Sequence, residues 1–299
     1  MKRAVSVSLG SSKRDKKVEL NLSGEKILIE RIGCDGDEKK ARRLFAELDG
    51  KVEALGVGGV ELYVRVADRE YPLRAGLWLV QDVKHTPAVD GRGLKHTLER
   101  RVMQYAEEHI EEPITPRRAF VTLSVDRFGM AQSIADAGYE MVFGDLMFAL
   151  GLPIPLKGID NVRRLARLLL PILGQLPISM LYPTGSKQEE VIPKYERWFQ
   201  WGQVIAGDFL YIHRHMPDRL EGKVIVTNTT TAENVEELCQ RGVKYLVTTT
   251  PRFEGRSFGT NMLEAALTAY AGKGRPLSED ELNELLARLD IHPSVQKLN

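Results

Sequence analysis

The spacing of apolar and polar residues predicts an α+β region over residues 1–112. Alternating runs at 4–9 and 17–22 and an apolar, β-rich run at 26–32 are separated by charged residues and Gly24, a pattern typical of strands joined by tight turns. Between these runs and the next apolar segment, residues 35–48 follow a helical period. The first third of the chain is therefore expected to form a compact unit of strands and helices.

After a proline-containing segment at 111–116, which predicts a linker, strands alternate with amphipathic helices. The strands are predicted at 119–125, 139–143, 178–181 and 204–206, and in the runs that begin at Val224 and Tyr245. Strands joined by helices pair in parallel through right-handed crossovers. We therefore predict an α/β fold: a doubly wound, mostly parallel Rossmann-like sheet at 117–299 with a C-terminal helix, preceded by a smaller N-terminal α+β domain at 1–112.

Composition limits the class of partner. The chain has 299 residues, about two domains in length, and its net charge of +1 argues against a large nucleic-acid surface. The longest apolar stretch, 165–176, is interrupted by charge and proline and is shorter than the ~20 residues that span a bilayer. Cys34 and Cys239 have no partner at metal-site spacing, so no metal is assigned. We expect a cytoplasmic protein that binds a small molecule, not nucleic acid or membrane; a homo-oligomer is compatible with these features.

Two predicted strands end in clusters of hydroxyl side chains. Ligands bind beyond the carboxyl ends of strands in open parallel sheets, so these clusters predict a ligand edge. We assign cofactor contacts to the hydroxyl and amide groups of Thr227, Asn228, Thr229, Thr230 and Thr249. One hydroxyl, of Thr230 or Thr231, is expected to cap the following helix instead of binding a ligand.

The loop at 124–130 follows the first strand of the predicted Rossmann-like sheet and opens a helix. In a dinucleotide-binding protein this loop holds the pyrophosphate, so Asp126, Arg127 and Gly129 are assigned to the cofactor. Asp145 ends the next strand, where a carboxylate binds a ribose. The GxGxxG fingerprint is absent, because the loop has a single glycine. The alternative is a capped helix start and an ordinary loop carboxylate.

Asp126 and Asp208 follow the first and fourth strands, which flank the switch point of the usual strand order. We expect the two carboxylates to face one crevice and to share a proton or hold a metal; the alternative is two solvated aspartates. Asp208, Lys187 and Lys95 are the candidate catalytic residues. Lys95 lies in an amphipathic stretch that predicts one helix over 94–109.

A candidate anion site lies near the start of the last helix of the Rossmann-like domain. Arg252 and Arg256 precede Thr260 and Asn261, and guanidinium groups beside a helix start can bind an anionic substrate. The alternative is a capped loop with solvated arginines. A second basic run at 13–17 is interpreted as a hairpin turn.

Several motifs together resemble a bacterial family whose members are often labelled quinate 5-dehydrogenase. The motifs are Asp126-Arg-Phe-Gly-Met130, Phe143-Gly-Asp-Leu146, Leu181-Tyr-Pro-Thr-Gly185, Val204-Ile-Ala-Gly-Asp-Phe209, Thr227-Asn-Thr-Thr-Thr231 and Ser257-Phe-Gly-Thr-Asn261. The resemblance implies a cytosolic oxidoreductase that uses NAD or NADP on a cyclic polyhydroxy acid. Quinate and shikimate dehydrogenases carry a lysine–aspartate pair and a glycine-rich loop; here Lys95 with Asp90, or Lys187 with Asp208, are the candidate pairs.

Three hypotheses about function follow from these features. The leading one is an NAD(P)-dependent dehydrogenase that binds a small anionic polyhydroxy acid between its two domains. The second is a non-enzymatic binding or sensor protein for an acidic or phosphorylated metabolite on the same fold. The third is a metal-dependent hydrolase that uses the aspartates.

Overall fold

The computed structural model describes residues 1–177, 191–253 and 256–299. Its strands are β1 Lys2–Ser8, β2 Lys16–Leu22, β3 Glu25–Gly33, β4 Ala54–Gly58, β5 Tyr63–Val66, β6 Arg69–Pro72, β7 Ala88–Val89, β8 Arg118–Val121, β9 Glu140–Phe143, β10 Leu156–Lys157, β11 Val204–Ala206, β12 Val224–Thr227, β13 Tyr245–Thr248, β14 Arg252–Phe253, β15 Arg256–Ser257 and β16 Ser294–Lys297.

The α-helices in the same residues are α1 Glu38–Leu48, α2 Arg74–Leu79, α3 Arg92–His96, α4 Val102–His109, α5 Phe128–Asp136, α6 Asp145–Ala149, α7 Ile159–Leu173, α8 Glu196–Trp201, α9 Phe209–His215, α10 Ala232–Gln240, α11 Thr260–Ala271 and α12 Glu279–Arg288. Two short 3₁₀ helices lie at Ser12–Arg14 and Glu99–Arg101.

The chain divides into two compact units, each built on its own sheet. The first unit comprises Met1–Leu94, Leu169–Gln188 and Gly259–Asp290, and the second comprises Lys95–Leu168, Glu189–Phe258 and Ile291–Asn299. This division is not linear in sequence, and the linker predicted at 111–116 falls within the second unit. The physical reason is that the buried helix α11 packs on β1 and β4 of the first sheet although it follows the second sheet in sequence.

The first unit contains a five-stranded sheet in the order β2-β3-β1-β4-β7. Neighbours from β3 to β7 are parallel, and β2 pairs with β3 in antiparallel register. Helix α1 begins at the cap Asp37, whose side chain accepts from the Lys40 amide, and it buries Ala41 and Phe45 in the core. After the glycines of 56–59 the chain forms the antiparallel hairpin of β5 and β6.

The second unit contains a seven-stranded sheet in the order β10-β9-β8-β11-β12-β13-β16. The five central strands are parallel, and the two edge strands, β10 and β16, are antiparallel to their neighbours. The predicted α/β class with a doubly wound, mostly parallel sheet is confirmed. Its core includes Phe120, Ile205 and Ile225 from three adjacent strands, all fully buried.

Three details differ from the predicted elements. Both antiparallel edge strands were missed, because each is short and half-exposed and carries little hydrophobic pattern. The predicted strand at 178–181 lies outside the described residues. The single helix predicted over 94–109 was wrong: α3 and α4 are separated by the 3₁₀ helix Glu99–Arg101.

Candidate functional site

The switch point of the second sheet lies between β8 and β11, because the chain leaves β8 toward β9 and leaves β11 toward β12. Asp126 and Arg127 follow β8, and Asp208 follows β11. The structure brings the two aspartates together, as expected, with Arg127 between them. Nη2 of Arg127 lies 2.7 Å from Oδ2 of Asp208, and its Nε lies 3.4 Å from Oδ2 of Asp126. The place where open α/β sheets bind ligands therefore carries a cluster of opposite charges.

Arg127 is the central cation of this cluster. Its Nη1 donates to Oε1 of Glu99 at 2.6 Å, so it contacts three carboxylates. Burial favours the neutral form of an arginine, but the charges of Glu99, Asp126 and Asp208 outweigh burial and raise the pKa of Arg127. The guanidinium stays charged and holds Asp126 and Asp208 in fixed positions.

Glu99 is a member of the cluster that the sequence analysis missed. Its side chain is fully buried, and burial raises its pKa despite the neighbouring cation. Among the described residues, its Oε1 also lies 3.4 Å from the Thr249 hydroxyl, whereas Oε2 has no hydrogen-bond partner. A signal was present: on a helical period Lys95 and Glu99 fall in line with the buried residues Val102 and Ala106. Charged residues on an apolar stripe mark an internal ion pair.

Lys95 pairs with Asp126. Its Nζ lies 3.0 Å from Oδ1 of Asp126 and 2.9 Å from the backbone oxygen of the same residue. Burial lowers the pKa of Lys95, and the charge of Arg127 lowers it further against the opposing effect of Asp126. Burial opposes ionisation of Asp126 as well, but the charges of Lys95 and Arg127 outweigh it and lower the pKa of this carboxyl.

This pairing corrects the expected pairing of Lys95 with Asp90. The Asp90 carboxylate is buried in the first unit, where it accepts from the amides of Leu62 at 2.8 Å and Arg92 at 3.1 Å. It therefore holds two backbone segments of that unit. Lys187, the other predicted lysine, lies outside the described residues.

Gly129 explains how Lys95 and Asp126 come so close. A Cβ atom placed on Gly129 would lie 1.7 Å from the Lys95 carbonyl oxygen, a distance no side chain tolerates. The glycine thus allows α5 to pack directly on the backbone at Lys95. In the structure the contact of Gly129 is with the protein's own backbone, which differs from the expected phosphate-loop position.

Asp145 also has a different environment from the predicted ribose contact. Its Oδ1 accepts from the amides of Ser124 at 2.9 Å and Val125 at 3.0 Å, and its Oδ2 accepts from the Ser124 hydroxyl at 2.6 Å. Only 4% of the residue is exposed, and burial raises its pKa to about 6 despite these bonds. The carboxyl group fixes the loop after β8 from within the protein.

Asn228 joins the cluster through Asp208. Its Nδ2 donates to Oδ2 of Asp208 at 2.8 Å, and its Oδ1 accepts from the Phe209 amide at 3.1 Å. The Thr227 hydroxyl donates to the Gly207 carbonyl at 2.8 Å. Thr231 caps α10 in a capping box, and it is one of the two threonines that were expected to cap this helix. The hydroxyl cluster therefore splits between fold contacts and the site.

The remaining candidates lie elsewhere. Thr229 is half-buried and Thr230 buried after β12. Thr260 and Asn261 belong to the first unit, where Nδ2 of Asn261 donates to the Ser6 hydroxyl at 2.7 Å and Thr260 packs beside Gly91. The side chains of Arg252 and Arg256 lie outside the described part of the chain. Among the described residues, the predicted anion contacts are therefore in a different unit from the aspartate cluster. Thr260 and Asn261 belong to the first unit, and the cluster belongs to the second.

Two negative findings concern the described residues. They contain no group of three or more histidine, cysteine, aspartate or glutamate side chains placed to hold a metal ion. Among the helices in the same residues, none has the length and apolar content needed to cross a bilayer.

The fold and this cluster define a Rossmann-like α/β protein with a buried, charged switch point. The chain belongs to the family described as Domain of unknown function DUF8754, whose model matches residues 93–298. Residues 3–90 match a second model, Domain of unknown function DUF8753. Among curated proteins the search found no match.

Several solved structures align with this chain at low identity. The NAD-dependent malic enzyme from Thermotoga maritima aligns with a TM-score of 0.43 and 13% identity over 96% of this chain and 76% of its own. A galactofuranose binding protein aligns with a TM-score of 0.37 and 11% identity over 100% and 95% of the two chains. The periplasmic binding protein of the arabinose transporter from Shewanella sp. ANA-3 aligns with a TM-score of 0.36 and 11% identity. The alignment covers 96% of this chain and 95% of that protein. None of these likenesses decides what this chain binds.

Proposed function

We propose that the protein is an enzyme that moves a proton at a hydroxyl or carbonyl group of a small polyhydroxy acid, with Lys95 as the proton-transferring residue. The observation that supports this most is the buried ion pair at the switch point, with Lys95 Nζ 3.0 Å from Asp126 Oδ1. Burial lowers the pKa of Lys95, and a general base works best when its pKa is near the working pH. The polyhydroxy acid is the substrate class that the resemblance to quinate and shikimate dehydrogenases implies, whereas the Lys95–Asp126 pair differs from the pairs expected from that resemblance.

The cluster divides the chemical work among its residues. In the proposed reaction the Lys95 amine accepts the proton of a substrate hydroxyl, and in the reverse direction its ammonium group returns that proton to the alkoxide oxygen. Asp126 stabilises the ammonium form and fixes the amine through its carboxylate and its backbone oxygen. Arg127 keeps Asp126 in place, and Asp208 with Asn228 offers acceptor and donor groups to further hydroxyls.

A nicotinamide dinucleotide does not fit the loop after β8. The amides of Ser124 and Val125, which would meet a pyrophosphate, donate to Asp145, and Gly129 faces the Lys95 carbonyl. Phosphate-binding loops need several free backbone amides at a helix start. No step of the proposed mechanism therefore uses a nicotinamide. The more specific hypothesis of a dehydrogenase is supported only by the family resemblance.

The same observation favours a second candidate, a binding or sensor protein for an acidic metabolite. A polar cluster without a phosphate loop can hold hydroxyl and carboxylate groups without reaction. The two candidates share a ligand class and differ in turnover.

Calorimetry with quinate, shikimate, NAD and NADP at millimolar concentration tests both candidates. We expect an acid to bind to the wild type and to bind about tenfold more weakly, or ~1.4 kcal/mol, to Asp126→Asn. The matched control is Asp160→Asn in the same unit, because the Asp160 side chain is 73% exposed and forms an ion pair with Arg163 on the same helix. If neither acid binds, or if both variants weaken binding equally, the proposal is wrong.

Turnover then separates the candidates. Incubation of the protein with each acid, with and without NAD or NADP, followed by mass analysis of the acid, detects oxidation, reduction or loss of water. Conversion that disappears in Asp126→Asn supports the enzyme, whereas binding without conversion supports the binding protein. Binding of NAD or NADP would contradict the conclusion drawn from the loop after β8.

A further inference from the structure

Two arginines of the first unit converge on one glycine. Arg14 ends the 3₁₀ helix Ser12–Arg14, and Arg31 lies two residues before the end of β3. A Cβ atom placed on Gly10 would lie 2.6 Å from Nη2 of Arg14 and 2.9 Å from Nη2 of Arg31. Gly10 is not among the glycines with a left-handed backbone. The glycine is therefore needed for the space beside the two guanidinium groups, and those groups lie close to each other.

The edges of Arg31 face different surroundings. Nη1 donates to Oδ1 of Asp15 at 2.8 Å and to the Ser11 carbonyl at 3.0 Å. Oδ1 of Asp15 also accepts from the Gly33 amide at 2.7 Å, so this carboxylate is held on the Nη1 side. Nη2 donates to the Ser8 hydroxyl at 3.1 Å and is the edge that comes close to Arg14. The carboxylate oxygen bonded to Arg31 is therefore held at the Nη1 edge, and the Nη2 edge faces Ser8 and Arg14.

The electrostatic balance supports an additional negative group. Only 11% of the Arg31 side chain is exposed. Burial lowers the pKa of Arg31, the charge of Arg14 lowers it further, and Asp15 opposes both without outweighing them. Burial and the neighbouring Arg14 therefore both disfavour the charge on Arg31, and an anion beside the two guanidinium groups would favour it.

The position of the pair in the fold is also a ligand position. β1 and β3 are parallel neighbours, and Gly10 and Arg31 lie at or near their carboxyl ends. Open sheets with parallel strands bind ligands at this edge. We propose that Arg14 and Arg31 form a binding site for a phosphate group, separate from the site of the proposed enzyme. Planar guanidinium groups bind phosphate through paired hydrogen bonds, and the Ser8 hydroxyl can donate a further one.

Calorimetric titration with inorganic phosphate at fixed ionic strength tests this site without any assumption about the enzyme. Arg14 is exposed, so Arg14→Gln is the variant of choice, and Lys17→Gln is a control with the same change of charge in the same unit. We expect Arg14→Gln to weaken phosphate binding about tenfold, and Lys17→Gln to change it by less than about twofold. Arg31→Lys, checked for folding by circular dichroism, should also weaken binding, because lysine has no planar pair of donors.

Two further ligands define the chemistry of the site. Glycerol 3-phosphate that binds as tightly as inorganic phosphate indicates a phosphorylated metabolite, whereas inorganic phosphate alone indicates the free ion. Acetate is expected to bind more weakly than either, because it has one charge and two oxygens. Absence of phosphate binding up to ~20 mM, or equal weakening by Arg14→Gln and Lys17→Gln, overturns the proposal, since the second result shows only general charge attraction.

Discussion

Replacement of Asp145 by asparagine is expected to stabilise the protein at high pH and to leave its stability nearly unchanged at low pH. The wild-type carboxyl group receives three hydrogen bonds from Ser124 and Val125 inside the second unit. Asparagine has the same shape and can keep all three: its oxygen accepts from the two amides, and its amide donates to the Ser124 hydroxyl, which can rotate. The substitution therefore removes a buried charge with little change in packing.

The magnitude follows from the raised pKa. The ordinary value for this carboxyl is 3.8, and burial raises it to about 6 in the folded protein. Because the folded-state pKa is the higher one, the protonated group contributes stability that is fully present below pH 3.8 and is lost as the pH rises through about 6. The shift corresponds to about 3 kcal/mol between the two ends of this window. Asparagine avoids that loss, since it does not ionise.

Denaturant unfolding at pH 4 and at pH 8 measures the effect. The difference between Asp145→Asn and wild type at each pH cancels the titration of groups that both proteins share. We expect the variant to be more stable by about 3 kcal/mol at pH 8 and within about 1 kcal/mol of wild type at pH 4. Asp160→Asn, at an exposed position in the same unit, should show little change at either pH. A variant that is less stable at pH 8, or a difference independent of pH, refutes the reasoning.

Other substitutions examine the ion cluster and the first unit. Glu264→Gln should stabilise the fold above pH 8 and have little effect below pH 4.5 in unfolding measurements, because burial raises the pKa of Glu264 from 4.5 to about 8; equal effects at both pH values would contradict this. Gly129→Ala should lower the melting temperature and reduce the free energy of unfolding by about 1–3 kcal/mol, since the new methyl group meets the Lys95 carbonyl. An unchanged melting temperature would show that α5 can shift to make room for the methyl group. Arg127→Met should cost about 3–5 kcal/mol of unfolding free energy, because it leaves buried carboxylates unpaired. Adding Glu99→Gln should recover part of that loss. If it recovers none, the loss of stability does not come from the unpaired Glu99 carboxylate.

Local pattern was sufficient to predict most of the fold. The five parallel strands of the second sheet are short β-branched or aromatic runs between helices, and this alternation by itself implies parallel pairing. The capping box of Ser278 and Glu281 likewise depends only on neighbours in sequence, and the C-terminal helix α12 begins there. The edge strands β10 and β16 were missed because they are stabilised by a partner strand rather than by their own hydrophobic pattern.

The site was predictable only in part. The topological rule about switch points correctly brought Asp126 and Asp208 together, because it depends on strand order alone. The partner of Lys95 was not predictable, since the contact of Gly129 with the Lys95 backbone positions Asp126. Glu99 was missed although the helical period placed it in line with buried residues, because its partner Arg127 belongs to a different segment of the chain.

By itself, the amino-acid sequence determined the class of the fold, the order of its elements and the edge of the sheet where charged residues gather. Those properties depend on periodicity and on the direction of strands, which are local or topological. The tertiary structure alone decided which charges pair, which unit holds α11, and which candidate residues belong to the fold itself. These outcomes depend on burial and on distances between segments far apart in sequence, as for Thr249 and Glu99, whose hydrogen bond joins residues 150 positions apart.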